Sequence, residues 1–230
     1  MKSHRKILVI CAHPDDEVLG LGGTIHDRIK NQNCIADVLI LGEGINSRNT
    51  QSQHIIDLKE HKKNALQACK IIGYTNANFL MFPDNKFDQL PLLKVVKDVE
   101  KYISLLKPDE IFTHFEDDLN IDHLITSKAV TTATRPLPGE KKIDIFHFHT
   151  MSSSEWNFSS NSIPFKPNVF YEIKKNDIEI KQKALSAYTS EIRDWPHPRS
   201  LENIEVVAKY WGSIIGKNYA EAFKLVLSVN

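Results

Sequence analysis

The chain has no apolar run approaching the roughly 18 to 20 residues of a membrane span, so no transmembrane segment is expected. It has no surplus of either charge: 29 Lys and Arg stand against 29 Asp and Glu. That balance argues against nucleic-acid or polybasic membrane partners. Cysteine is scarce. Cys11, Cys34 and Cys69 are odd in number and form no C-x-x-C pair, which suits small buried apolar side chains in a reducing cytoplasm. The start, MKSHRKILVI, is basic and then apolar, but the run ends at His13 without a small-residue cleavage site. A first strand is expected there rather than a signal peptide. Repeats, low-complexity tracts and linker-like composition shifts are absent too, so one domain over residues 1–230 is expected.

What is present concentrates in Lys6 to Gly23, KILVICAHPDDEVLGLGG. Ile7 to Ile10 read as a buried strand. Pro14 cannot continue a central strand, so the chain turns. From Glu17, Val18, Leu21, Ile25 and Ile29 follow helical spacing. His13, Asp15, Asp16 and Glu17 thus share a strand-to-helix turn, at the rim where open α/β sheets bind ligands. Helix capping accounts for one acidic residue, less well for two, and not for His13. His-x-x-Asp across a turn can aim an imidazole and a carboxylate at one ion, leaving the carboxylate between them free. Glu17 is explained by its place at a helix N-terminus. The Gly20–Gly23 stretch is a poor dinucleotide fingerprint, because its glycines fall inside the helix and carboxylates fill the place of a pyrophosphate. Close helix–sheet packing accounts better for Gly22 and Gly23.

Further strands are expected at Ile35–Leu41, Phe79–Phe82, Glu110–His114, Ile143–Phe148 and Val169–Ile173. Helices are expected at Ile55–Ile72, Leu92–Leu106, Ile121–Ala133, Ile178–Tyr188 and Leu201–Ile215. This alternation predicts an α/β fold, a Rossmann-like, mainly parallel sheet with helices on both faces. The Gly-rich turn from Gly42 to Arg48 should reach the same rim, and Ser152 to Pro167 should loop over it.

EIFTH runs into Phe115-Glu116-Asp117-Asp118-Leu119-Asn120-Ile121-Asp122-His123, a second turn rich in carboxylate and imidazole before a helix. His123 can complete a His, Asp, His set around zinc with an open position. Asp122 can orient an imidazole or hold the turn, and His114 can play a similar supporting part.

The sequence resembles the LmbE-like, or PIG-L, zinc-dependent deacetylases, which remove acetyl groups from N-acetylglucosamine-type sugars. The resemblance rests on Ala12-His13-Pro14-Asp15-Asp16-Glu17 and Asp118-Leu119-Asn120-Ile121-Asp122-His123. It extends more weakly to Arg135-Pro136, Ser153-Ser154-Glu155-Trp156, Pro198-Arg199-Ser200 and Ala220-Glu221-Ala222-Phe223. It implies one zinc on His13, Asp16 and His123, with another divalent ion such as Fe2+ able to substitute, and Asp15 as general base. The implied reaction is hydrolysis of the N-acetyl group of an N-acetylglucosamine-type sugar or conjugate, a small-molecule substrate, with a homo-oligomer left open.

One position departs from the family pattern. Where several members carry His-Pro-Asp-His, this chain has Asn120, which can donate to an oxyanion but cannot act as a general acid. Either Asp15 performs both proton transfers, the preferred account, or an imidazole such as His197, between Pro196 and Pro198, supplies the second. Arg48 and Arg199 are candidates for sugar-hydroxyl or phosphate contacts, against surface salt bridging. Competing functions are a metal-dependent phosphoesterase, which usually needs two metals, and a sugar-binding protein without catalysis, which would have lost Asp15 or a ligand.

Overall fold

Strand β1 (Arg5–Cys11) supports both layers of the molecule. Ile7, Val9 and Cys11 join the core on one face of the sheet, and Leu8, Ile10 and Ala12 join the core on the other. A strand covered on both faces needs apolar residues at successive positions, hence the unbroken run in the sequence. The computed structural model describes residues 4–45 and 51–228 and places β1 inside a seven-stranded sheet.

The other strands are β2 (Cys34–Gly42), β3 (Asn76–Phe82), β4 (Glu110–His114), β5 (Asp144–Phe148), β6 (Val169–Glu172) and β7 (Ala220–Leu227). Their order is β3-β2-β1-β4-β5-β7-β6. Pairing is parallel from β3 through β5, and β7 lies antiparallel between β5 and β6. Helices α1 (Asp16–Leu19), α2 (Gly22–Asn31), α3 (Gln51–Ile72), α6 (Lys175–Leu185) and α7 (Leu201–Ile214) cover the face of Ile7 and Val9. The opposite face is covered by α4 (Leu92–Leu106) and α5 (Ile121–Ala133). The fold is the Rossmann-like α/β sheet expected. Strand order reverses between the neighbours β1 and β4, and a crevice opens at their carboxyl ends.

Two details differ from the sequence pattern. The helix expected from Glu17 onward is broken at Gly20-Leu21. A Cβ on Gly20 would stand 2.4 Å from the Phe148 ring, so only glycine lets this turn approach β5. The two helix ends at the break are satisfied from elsewhere: Lys181 Nζ donates to Leu19 O at 2.8 Å, and the Glu221 carboxylate accepts from Gly23 N and Thr24 N at 3.2 and 2.6 Å. Lys181 and Glu221 pair with each other at 2.5 Å, which offsets their burial. The second difference is β7 itself, which the sequence pattern past Ile215 does not announce. Glu221 of that strand caps α2, so the Ala220–Phe223 motif is tied to the site through the helix break. The three cysteines are buried and free, as expected.

Candidate active site

The chain leaves β1 with Ala12 N–H donating to His114 Nε2 at 2.9 Å and Ala12 O accepting from Gly42 N at 2.7 Å. Pro14 then turns it against Gly44, whose φ of 67° and contact with Pro14 both require glycine. Asp15 follows at φ 102°, a left-handed conformation that costs energy for any residue with a Cβ. Its carbonyl accepts from Val18 N and Leu19 N and starts α1. Asp15 and Asp16 are both buried, on different sides of the turn.

Asp16 faces inward. One atom each from His13, Asp16 and His123 lies within 4.8 Å of the others. Asp16 Oδ2 is 3.7 Å from His13 Nδ1 and 3.5 Å from His123 Nε2. Ligand atoms around tetrahedral zinc stand about 3.3 Å apart, so little movement separates this set from a coordination shell. Asp16 Oδ1 is buried with no hydrogen-bond partner. A carboxylate oxygen left so is costly unless a cation completes it, and the donor set therefore fits a divalent metal. A second group, His13, Asp84 and Asp122, shares His13 with the first. Its Asp122 is already engaged by protein donors and has a different task.

Each histidine of the first set is oriented by a carboxylate. Asp122 Oδ2 lies 2.9 Å from His13 Nε2, and Asp122 is fixed by Asn85 N and Phe87 N at 2.7 and 3.0 Å. Asp118 Oδ1 lies 3.0 Å from His123 Nδ1. Asp118 in turn accepts from the hydroxyls of Ser153 and Ser154 and from Asn120 N. Carboxylate partners of this kind fix the ring and turn its other nitrogen to the metal. His114 stacks on His123 with ring centroids 3.9 Å apart and hydrogen-bonds Thr150 Oγ1. Asp122 thus contacts the His13 ring and His114 the His123 ring, the two residues for which a supporting role was expected. Asp118 received no such role from the sequence, although its place five residues before His123 offered a signal.

Charge in the pocket is arranged for a cation. Burial works against charge on His123, yet Asp16 and Asp118 raise its pKa to about 10. Burial would likewise raise Asp16, but His123 and His114 hold it well below the usual carboxylate range. Burial, with the neighbouring His123, pushes His114 down to about 4, so it is neutral. On the other side of the turn, burial raises Asp15 against the pull of Arg199.

Asp15 borders a cleft of about 260 Å³ together with His13, Asp84, Asn120, Glu191 and Arg199. Arg199 Nη1 is 2.9 Å from both Asp15 Oδ2 and Glu191 Oε2, and its Nε donates to Ser152 Oγ at 2.7 Å. Asn120 caps α5: its Oδ1 accepts from Asp122 N and His123 N, leaving Nδ2 towards Asn85 Oδ1 at 3.4 Å. His197 is not among the residues bordering the cleft. Its Nδ1 accepts from Arg199 N at 3.1 Å and its ring meets Trp156 edge-on. Arg48 lies outside the described residues. Glu17 lies in the first turn of α1, as expected, but is fully buried, and burial pushes it up to about 8.

Two imidazoles and a carboxylate around one point, with a further carboxylate beside them at the strand ends of an open α/β sheet, have the make-up of a metal-dependent hydrolase. The chain belongs to the PIG-L family: the family model described as GlcNAc-PI de-N-acetylase matches residues 8–134, a span that includes both turns. It is 29% identical over 189 residues to the uncharacterized deacetylase YaiS of Escherichia coli, covering 80% of this chain and 90% of that one. It is 26% identical over 144 residues to the probable N-acetyl-alpha-D-glucosaminyl L-malate deacetylase 2 of Bacillus cereus, covering 60% and 64%. Its fold is similar to that of the N,N'-diacetylchitobiose deacetylase from Pyrococcus horikoshii, with a TM-score of 0.77, 21% identity and coverage of 98% and 85%.

Proposed function

We propose that this chain hydrolyses the N-acetyl group of an N-acetylglucosamine-type sugar or sugar conjugate, with one zinc ion held by His13, Asp16 and His123 and Asp15 as general base. The observation that carries the reading is the pairing of opposites at one turn. Asp16 turns Oδ2 towards the His13 and His123 imidazoles and keeps a buried Oδ1 without a hydrogen-bond partner, while Asp15, next in sequence, faces the cleft. Family membership and the names of the relatives supply the acetylated amino sugar. Zinc, when bound, would polarise the amide carbonyl and lower the pKa of water to roughly 7.

The protein's own groups do the rest. Asp15 takes a proton from the attacking water and passes it to the departing amine nitrogen, which leaves poorly unless protonated. Burial favours this use, because it lifts the carboxyl out of its ordinary range and brings it nearer the operating pH. Arg199 keeps the Asp15 carboxylate aimed, and Asn120 Nδ2 is an amide donor at the cleft for the developing oxyanion. His197 contacts Arg199 N and Trp156 rather than the cleft, which supports Asp15 acting in both transfers. A two-metal phosphoesterase is less well supported, since the two candidate ligand groups share His13.

The test is acetate release by zinc-loaded protein from a panel of N-acetylglucosamine conjugates, with N-acetyl amino acids and phosphomonoesters as controls. Release from the sugars that is abolished by chelation and restored by zinc is expected. Turnover of the phosphomonoesters alone would overturn the reading.

A further inference from the structure

Glu17 takes no part in the reaction above, yet it is placed where it governs Asp15. Its carboxylate is fully buried, with Oε2 accepting from Asp15 N at 3.0 Å and Oε1 accepting from Tyr188 Oη at 2.6 Å. Tyr188 is itself fully buried. The amide that Glu17 holds belongs to the one residue of the turn in the left-handed region, Asp15 at φ 102°. Such a conformation persists only where its surroundings over-determine it. A solvent-facing carboxylate or a water would satisfy the same N–H without the cost of burying an acid.

We propose that Glu17 and Tyr188 are positioning residues for Asp15, fixing its strained backbone so that its carboxylate faces the cleft. The proposal rests on Asp15 serving as the general base. The turn after α6 holds both ends of that residue. Tyr188 reaches the Asp15 amide through Glu17. Three residues on, Glu191 donates its N–H to Tyr188 O at 2.9 Å and presents Oε2 to Arg199, whose Nη1 reaches the Asp15 carboxylate. The amide and the side chain of Asp15 are therefore tied to residues 188–191, remote in sequence from the catalytic turn. A shift of about 1 Å in a reacting group can cost 10²-fold in rate, so a two-ended hold on the base has a clear use.

Tyr188→Phe removes one hydroxyl and keeps the ring that packs near His61. In this variant the Asp15 amide should exchange with solvent at least about tenfold faster relative to the amides of β1, by residue-resolved NMR. Its kcat should fall about ten- to a hundredfold, with KM and metal content close to the parent's. Glu17→Ala should lose as much or more. Glu17→Gln should recover most of that loss, because an amide can accept from Asp15 N and donate to Tyr188 Oη.

Parent-like kcat, or unchanged Asp15 exchange, in folded and metal-replete Tyr188→Phe overturns the proposal. So does a Glu17→Gln enzyme as slow as Glu17→Ala, which would mean that the acid group itself, rather than its hydrogen bonds to Asp15 and Tyr188, is what the reaction needs. If Glu17→Ala fails to fold, Glu17→Gln against the parent carries the same contrast. A parent that releases no acetate counts against Asp15 as base, whereas the exchange measurement judges the hold on its backbone independently of turnover.

Discussion

Arg199 Nη1 donates to Asp15 Oδ2 at 2.9 Å across 184 residues of sequence. The arginine expected as either a sugar contact or a surface ion pair is thus the partner of the proposed base. It restrains a buried carboxylate that its environment would otherwise neutralise. Arg199→Met keeps an apolar stem of similar length and removes the charge. The expected result is a fall in kcat of about tenfold or more with metal content unchanged. Steady-state kinetics with elemental analysis checks it, and a parent-like kcat would remove Arg199 from the hold on Asp15.

The orienting carboxylates should appear in metal affinity. Asp118→Asn disturbs His123, and Asp122→Asn disturbs His13. Each should weaken zinc binding about 10- to 100-fold, the usual effect of losing such a partner. Competition against a chromophoric chelator gives the number. Unchanged affinity in both variants would mean the histidines need no such support.

Asn120 has a structural task separable from any role towards substrate. Its Oδ1 caps α5, the helix that carries His123. Asn120→Ala should cost about 1 kcal/mol of stability, as lost N-caps do. Asn120→Asp keeps the acceptor and should melt near the parent while losing the amide donor that faces the cleft. Thermal melts separate the two, and equal melting of all three proteins would deny the cap.

Acid should also weaken the join between β5 and β7, at the Glu116 carboxylate just past the end of β4. Burial would raise Glu116, but the His147 and Lys224 side chains hold it at about 2, against an ordinary 4.5. A folded-state pKa below the unfolded one gives stability that is present above about 4.5 and lost as pH falls towards 2. His147 and Lys224 are also register partners between β5 and β7, so Glu116 bridges the antiparallel pair. The melting-temperature gap between parent and Glu116→Gln should therefore be widest near neutral pH and should close below pH 4.5. A gap that widens with acid would contradict the assignment.

Much of the architecture was legible because local and global signals agree. The unbroken apolar run of β1 announces a strand covered on both faces, and α4 and α5 follow their periodicity closely. His13, Asp16 and His123 stand out in the sequence for another reason, each in a turn too polar for a core and too crowded with charge for capping alone, and the fold brings the three together. What sequence could not announce depends on pairs remote along the chain. Glu17 reads as a helix-terminal charge until Tyr188, 171 residues away, is brought to it. The break after Leu19 depends on Lys181 and Glu221, which come from α6 and β7. The AEAFKLVL stretch of β7 carries its aromatic and β-branched residues late and in a short run, so the preceding helix obscured it.

In the proposed reaction neighbouring aspartates divide the work, Asp16 holding the metal and Asp15 moving the proton. The direct measurement is bound zinc and acetate release, determined together for Asp15→Asn and Asp16→Asn. Asp15→Asn should keep its zinc and lose the roughly 10² to 10⁴-fold that general-base catalysis contributes, while Asp16→Asn should lose zinc and activity together. An Asp15→Asn protein that is zinc-replete and within about threefold of the parent rate would contradict the account.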